Sequence, residues 1–395
     1  MLRLAHTSDL HIDERGRLDD VQHVLRAFIE GGRRAAVDLF VVAGDFFERR
    51  STPTERNALA DFLKAATEVA PVVGSKGNHD VAGDLELFNR LKTKHPIHIE
   101  ERATAQPGSA YMVDLAGGRR VGVLGMAWID KANFVSGLDA SVDQEQTRYM
   151  TIESMRDLLT CLRAEARRVR SVGAAPILVT HVMLGGSVVS TGQVLIGIGL
   201  ELSPSDLKDI DASYVACGHI HASQEWFGGR VAYSGSPARH TYGESEAKGW
   251  RLVTLEDDGR FVSNEFMELP ARRIVLLEED WTNPIARAVG LCVDPIEVAG
   301  ALVRVRYHIR PQDLHLVNEE VLSRAILADG AHEVVLECVI EAETRVRAGE
   351  IVLARSTAEK VDAYFAAKGL EIDAATRVRV HAKLAEIEGG AHAAA

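Results

Sequence analysis

The 395-residue sequence predicts an α/β fold, a four-layer α/β/β/α sandwich of two mixed β-sheets with helices outside them, followed by a smaller C-terminal α+β domain. Three observations predict it. Short apolar runs alternate with helical periodicity through the first hundred residues, as in β-α-β units. Strand signals joined by glycine-rich turns then add antiparallel pairs. Five stretches between residues 7 and 221 place Asp, His or Asn directly after an apolar run.

Leu2 to Thr7 is a short apolar strand, and Asp9 and His11 follow two apart, so a locally extended backbone aims both to one side. Leu18, Val21, Leu25, Phe28 and Ile29 recur at helical spacing behind Asp19 and Asp20, giving a helix to about Ala36. Leu39 to Ala43 is a continuous apolar strand ending at Gly44-Asp45. A helix near Glu55 to Glu68 leads to the run Pro71-Val72-Val73-Gly74 and the polar turn Gly77-Asn78-His79-Asp80, and a third helix is expected near Asp84 to Lys92.

Tyr111 to Leu115 and Val121 to Trp128, joined through Gly117-Gly118, read as an antiparallel pair. Gln144 to Arg170 is mostly helical, and Arg163, Arg167, Arg168 and Arg170 make its end basic. That cluster reads as a solvated face suited to the helix dipole, with a DNA-backbone patch as the alternative. Ile177 to Thr180 delivers His181, and Tyr214 to Cys217 delivers His219 and His221. The glycine-rich stretch between them suits an active-site loop. Val231 to Ser234 and Trp250 to Leu255 are strands, and Asp257-Asp258-Gly259-Arg260 turns into a further strand over Phe261 to Leu269.

Pro270-Ala271 marks the expected boundary between residues 1–270 and a domain over 271–388, with residues 389–395 a disordered tail. The second domain holds strands at Arg273 to Leu277, Leu302 to His308 and Glu333 to Ile340, with helices near Asn318 to Leu327, Ala358 to Lys368 and Ala374 to Glu388.

A formal net charge of −12 without a basic arm argues against a protein that coats nucleic acid alone, so a DNA substrate would need local patches or a partner. Cys161, Cys217, Cys292 and Cys338 lie far apart with no Cys-x-x-Cys, as buried reduced thiols do. The chain starts directly on a strand, without a leader, and no apolar run reaches the ~18 residues of a membrane span. A cytoplasmic protein, with no membrane association, is the expectation.

Asp, His and Asn without Cys are hard-to-borderline ligands, suited to Mn, Fe, Mg or Zn. Two divalent ions roughly 3.5 to 4 Å apart need one bridging anion, and Asp45 is the choice. Such a pair lowers the pKa of a bridging water and aligns the resulting hydroxide for in-line attack on phosphorus, so phosphate-ester hydrolysis is the natural reaction.

Taken in order, Asp9-x-His11, Gly44-Asp45, Gly77-Asn78-His79-Asp80, His181 and Gly218-His219-x-His221 resemble the signature of the calcineurin-like metallophosphoesterases. The resemblance implies one ion on Asp9, His11, Asp45 and His221, and another on Asp45, Asn78, His181 and His219. It makes His79 the general acid that protonates the leaving oxygen, and it makes Glu48, three residues after Asp45, the group that holds the His79 ring. Tyr233-Ser234-Gly235-Ser236-Pro237 and the strand after Gly243-Glu244 are similar to the SbcD branch of double-strand-break repair nucleases. That branch implies manganese-dependent 3′ to 5′ exonuclease and endonuclease activity on DNA, a homodimer, and an SbcC-type coiled-coil ATPase partner.

Leu59, Phe62, Leu63, Leu85, Phe88 and Leu91 serve either as the dimer contact or as monomer core. Arg49 and Arg50 either reach a phosphate or face solvent, and Arg239 and His240 follow the Ser-Gly-Ser-Pro stretch near the site. The competing functions are a phosphoesterase for a small or protein phosphoester and a non-catalytic scaffold for an ATPase.

Overall fold

Strand β1 (Leu2–Thr7) is buried at every position except Arg3, as a strand covered on both faces must be. The computed structural model describes residues 1–103, 106, 108–129, 144–195, 201–291, 293–341 and 354–391. After β1 come helix α1 (Leu18–Ala35), β2 (Leu39–Val42), α2 (Pro53–Thr67), β3 (Val72–Ser75), β4 (Ile97–Glu100), β5 (Tyr111–Asp114) and β6 (Arg120–Met126). Helix α3 (Gln144–Ser171), β7 (Ala175–His181), β8 (Met183–Leu184), β9 (Glu201–Leu202), α4 (Pro204–Lys208) and β10 (Tyr214–Gly218) follow. Then come β11 (Gln224–Trp226), β12 (Val231–Tyr233), β13 (Gly249–Leu255) and β14 (Phe261–Glu268).

One six-stranded sheet has the order β14-β13-β1-β2-β3-β4, the other β11-β12-β10-β7-β6-β5. In the first, β1 to β4 run parallel and β13 and β14 add antiparallel. In the second, β6, β7, β10 and β12 run parallel and the edge strands β5 and β11 antiparallel. Both sheets are therefore mixed, as expected.

The period of two along each strand sorts the core into layers. Leu2, Leu4, Leu39, Val41 and Val73 of the first sheet pack against Val121, Val123, Ile177, Val179 and Ala216 of the second. Their neighbours Ala5, Phe40, Val42 and Val72 turn the other way, onto Phe28 of α1 and Leu59 and Phe62 of α2. Leu178, Val215 and Cys217 likewise meet Leu162, Ala166 and Val169 of α3. Each fully buried large side chain contributes about 1.5–3 kcal/mol, so the three apolar seams hold four layers together. Helix α2 starts where Thr52 and Glu55 form a reciprocal cap and Pro53 supplies a pre-set first turn.

Glu165 shows how α3 is tied to its sheet. Its carboxylate, 2% exposed, takes a two-pronged contact from Arg168 and accepts from the backbone N–H groups of Gly108 and Ala110 at 2.9 Å. The Arg168 bond, with those amides, outweighs burial and holds its pKa near about 2. A carboxylate whose folded pKa is depressed stabilises above its ordinary pKa of 4.5 and loses that contribution as pH falls toward about 2. Glu165→Gln is expected to cost about 1–3 kcal/mol at pH 7 and to flatten the acid limb between those values, as read by urea unfolding across pH.

Strands β15 (Ile274–Asp280), β16 (Leu302–Ile309) and β17 (Glu333–Ile340) form a three-stranded sheet in that order, with longer helices at Glu319–Ala328, Thr357–Ala367 and Ala374–Ala391. Two compact units divide the chain. One is residues 1–277 with 293–305 and 322–335, and the other 278–292 with 306–321 and 336–395.

Several expectations change. The helix near Asp84 to Lys92 is a 3₁₀ turn over Glu86–Arg90. The last helix runs to Ala391, three residues into the expected tail, and residues 392–395 lie outside those described. Leu59, Phe62, Leu63, Leu85 and Phe88 are all buried in the chain's own core, with Leu91 packed on it, so they offer no dimer surface. Cys217 is buried, but Cys161 is exposed and Cys338 half-buried; Cys292 is outside the described residues. Arg163 and Arg170 donate to the carbonyls of Asp209 and Asp211, and Arg168 binds Glu165, so three of the four α3 arginines hold the fold rather than a free basic patch. Among the described residues no helix is long and apolar enough to cross a membrane.

Candidate metal centre

Every one of the five polar stretches leaves the C-terminal end of a parallel strand. Asp9 and His11 follow β1, Asp45 follows β2, Asn78 and His79 follow β3, His181 ends β7, and His219 and His221 follow β10. Because β1, β2 and β3 are neighbours in one sheet and β7 and β10 in the other, the stretches converge.

Convergence bends the backbone. Among the described residues seven non-glycines have positive φ, and four are Asp9 (54°), His11 (44°), Asp45 (51°) and His219 (112°). Such conformations cost on the order of 1–3 kcal/mol each and persist only where surroundings enforce them. Here the Asp9 N–H donates to Gly44 O, the His11 N–H to Asp45 O, and the His219 N–H to the Asp9 carboxylate, each at 3.0 Å. Glycine gives the required clearance: a Cβ on Gly77 would stand 2.0 Å from Asp45 Oδ1, and one on Gly218 1.8 Å from the Ala43 carbonyl.

The side chains meet around Asp45. Its Oδ2 lies 3.2 Å from His181 Nε2 and 3.8 Å from His11 Nε2, while Oδ1 accepts the His79 N–H at 2.9 Å. Asn78 Oδ1 lies 3.0 Å from both His181 Nε2 and His219 Nδ1. The His11 and His221 Nε2 atoms are 3.1 Å apart, and Asp9, His11 and His221 form one potential ligand group, with Asp9, Asp45 and His181 another. All seven expected ligands thus occupy one cluster, buried except at the half-buried Asn78.

The tautomers show what this cluster fits. His181 Nδ1 is 2.7 Å from the Ala43 carbonyl, and His221 Nδ1 is 2.7 Å from Glu244 Oε1. Both partners can only accept, so each ring carries its proton on Nδ1 and turns the Nε2 lone pair inward. His11 Nδ1 similarly faces Glu48 Oε2 at 2.7 Å. Inward lone pairs at His181 then meet oxygen acceptors on Asp45 and Asn78, and those at His11 and His221 meet each other. Acceptors facing acceptors at 3 Å repel unless a cation lies among them, and this donor set fits divalent ions. The same demand for positive charge is visible in protonation: burial opposes it, yet Glu48 and Asp45 raise His11 to about 9, and Asp45 raises His181 to about 9. Burial also opposes ionisation of Asp45, but His181 and His11 hold its carboxyl far below the usual range.

Glu48 departs from expectation. Its carboxylate lies against His11 and is 3.6 Å from His79 Nδ1, which instead donates to the Glu48 backbone carbonyl at 2.8 Å. The carbonyl fixes the His79 tautomer, and among the described residues Nε2 is the nitrogen without a hydrogen bond. Arg49 pairs with Asp13, and Arg239 donates to the carbonyls of Glu244, Glu246, Ala271 and Arg272, so both brace loops. His240 packs edge-on to His11 and His221 and contacts the Asp9 carbonyl at 3.2 Å.

Four other residues support the cluster from outside the five ligand stretches. Gln193 bonds the His219 carbonyl at 2.6 Å and the His221 N–H at 3.2 Å. Trp128 lies over the His219 ring at 4.8 Å. Glu244, fully buried, holds His221 and takes Lys248 Nζ at 3.0 Å, and Lys248 also binds Glu246 and Ser236. The only sequence signal for them was proximity of Glu244 to the Ser-Gly-Ser-Pro stretch. Glu244→Gln is expected to weaken Mn²⁺ binding about 10- to 100-fold in equilibrium dialysis, because the His221 ring loses its anionic anchor.

A cavity of about 480 Å³ opens over the cluster, lined by His11, Asp45, Asn78, His79, His219 and His221 and, farther out, by Arg15 and Val194.

The chain is also similar to known proteins. The family model for calcineurin-like phosphoesterases matches residues 2–223. The chain is similar to the D subunit of the SbcCD nuclease of Rhodobacter capsulatus, 30% identical over 258 residues, covering 60% of this chain and 62% of that one. It is also similar to the Bacillus subtilis protein of the same name, 26% identical over 266 residues, 65% of this chain and 66% of that one. The match thus spans just under two thirds of each relative's length. A dimetal phosphatase from Danio rerio superposes with a TM-score of 0.40 at 12% identity, over 68% of this chain and 98% of that one.

Proposed function

Because the chain belongs to the calcineurin-like phosphoesterase family, we propose that its cluster hydrolyses phosphodiester bonds of DNA, as an SbcD-type exonuclease and endonuclease. The observation that carries the reading is the set of inward lone pairs around Asp45, with His79 beside them on the same cavity. Asp9, His11, Asp45 and His221 would hold one divalent ion, and Asp45, Asn78, His181 and His219 a second, with Mn²⁺ the preferred metal. When bound, the two ions supply the concentrated positive charge that an in-line displacement at phosphorus requires.

The chain's own residues do the rest. His79 keeps Nδ1–H on the Glu48 carbonyl, so Nε2 is the atom that can carry a proton into the cavity. As the P–O bond to the leaving group breaks, that proton passes to the departing oxygen. The Glu48 carboxylate lies 2.7 Å from His11 Nδ1 and 3.6 Å from His79 Nδ1, so it stands between the ligand ring and the acid ring. Both relatives bear the name of the SbcCD nuclease's D component, which supports DNA as substrate and an SbcC-type ATPase as partner. The homodimer belongs to the same reading but must use residues other than the six leucines and phenylalanines named above.

Purified protein supplied with Mn²⁺ is expected to shorten end-labelled linear duplex DNA. Turnover of a generic phosphodiester with the DNA left intact would sink the nuclease reading and favour a small-substrate phosphoesterase.

A further inference from the structure

The cavity carries more than the hydrolysis of a lone phosphate requires. Metal ligands and His79 occupy its floor, yet it extends to about 480 Å³, the size of a site that takes a whole small molecule or a stretch of polymer. Two exposed residues of its wall, one cationic and one apolar, stand apart from the cluster.

Arg15 is the first. Four arginines line the cavity, and three are committed: Arg17 sits over the Tyr242 ring at 4.8 Å and donates to the Arg239 carbonyl, Arg49 binds Asp13, and Arg239 spans backbone carbonyls. The Arg15 guanidinium is exposed and has no partner among the described residues. Its backbone, by contrast, is fixed. Asp13 Oδ1 accepts the Arg15 N–H at 2.9 Å, the Gly16 N–H returns to Asp13 O at 3.2 Å, and the Glu14 N–H donates to Glu55. A free cation on a braced turn, beside a site for phosphorus chemistry, is placed to receive an anion.

Val194 is the second. It is 75% exposed although apolar, and its loop is anchored by Gln193 to the His219 and His221 backbone and by Ser190 to Glu246 at 2.6 Å. The wall therefore presents a hydrocarbon surface held in place rather than a side chain that found no core.

A DNA strand carries phosphates and apolar base faces together, and proteins that track single strands pair cationic contacts with side chains, most often aromatic, that cover base faces; an exposed aliphatic side chain can cover one by van der Waals contact alone. Resting on the nuclease reading above, we infer that this cavity is a strand-binding subsite, in which Arg15 takes a backbone phosphate flanking the scissile one and Val194 takes the face of a nucleobase.

The test compares wild type, Arg15→Gln, Arg15→Lys and Val194→Ser on a single-stranded oligodeoxynucleotide and on bis(p-nitrophenyl) phosphate, which has neither flanking phosphate nor base. The ratio of kcat/KM on the oligonucleotide to that on the small diester is expected to fall about tenfold in Arg15→Gln, the size of one lost charge-assisted contact. The salt dependence of oligonucleotide KM should become shallower by about 0.7 in log–log slope. Arg15→Lys should restore that slope, since it keeps the charge, and Val194→Ser should lower the ratio about threefold, in line with a partial base contact. An unchanged ratio in Arg15→Gln, or a lost slope that Lys does not restore, overturns the subsite. Wild-type protein that hydrolyses the diester and spares the oligonucleotide removes the nuclease reading itself, and the subsite with it.

Discussion

Asp45→Asn is expected to lower phosphodiester turnover at least about a thousandfold, roughly 4 kcal/mol in the barrier, and to abolish the stabilisation that Mn²⁺ gives the protein. Asp45 Oδ2 lies 3.8 Å from His11 Nε2 and 3.2 Å from His181 Nε2, so one carboxylate oxygen faces a ring of each proposed ion site. The amide of Asn matches the carboxylate in shape but carries no charge, and two divalent ions at close quarters then lack the shared anion that offsets their repulsion. A ligand present at a hundred times its Kd adds about 2.7 kcal/mol to folding stability. Wild type should show a Mn²⁺-dependent rise in Tm that Asp45→Asn lacks. A variant that kept both the rise and the turnover would remove Asp45 from the bridging position.

His79→Gln is expected to keep the metals and to lose about 10²- to 10⁴-fold in kcat on DNA. Gln retains a donor for the Glu48 carbonyl that His79 Nδ1 meets at 2.8 Å, so the turn should stand, but it offers no proton to a departing oxygen. The loss should depend on the leaving group. An alkoxide from a nucleotide needs the proton, whereas p-nitrophenolate leaves unaided, so bis(p-nitrophenyl) phosphate should suffer far less. Equal losses on both substrates would show His79 acting on the phosphate rather than on the leaving oxygen.

The sequence made the ligands legible because each sits where a strand's apolar run stops, and strand ends are the points that a parallel sheet aligns. That rule and their order marked the five stretches, whereas the choice of Asp9, His11, Asp45, Asn78, His181, His219 and His221 as ligands came from the resemblance to the metallophosphoesterase signature. Glu48 did not obey the rule. Three residues past Asp45 placed it near both His11 and His79, but the side-chain direction in an irregular loop follows from packing, and the carboxylate went to His11. Glu244 and Gln193 fell within stretches placed near the site, but their supporting roles were illegible for a different reason. Their partner His221 lies 23 and 28 residues away, and no local pattern marks a buried carboxylate or amide whose role is to hold another residue's ring or backbone.

The fold divides the same way. Continuous apolar runs such as β2 and β3 and the amphipathic α1 were unambiguous, since period and burial agree. Strand β4, whose four residues alternate Ile97-His98-Ile99-Glu100, is too short for periodicity to identify, and its place beside β3 is a tertiary fact. Leu59, Phe62 and Leu63 show the limit of pattern reading: helical spacing gives an apolar face, and only the packed structure says that the face meets Phe28 and Phe40 rather than a second subunit.

The proposed hydrolysis requires two cations sharing Asp45. Its most direct test is the metal content of purified protein saturated with Mn²⁺ and gel-filtered, measured by inductively coupled plasma mass spectrometry. Two equivalents per chain are expected, falling to one or none in Asp45→Asn; a wild-type value of one or less would contradict a dinuclear centre.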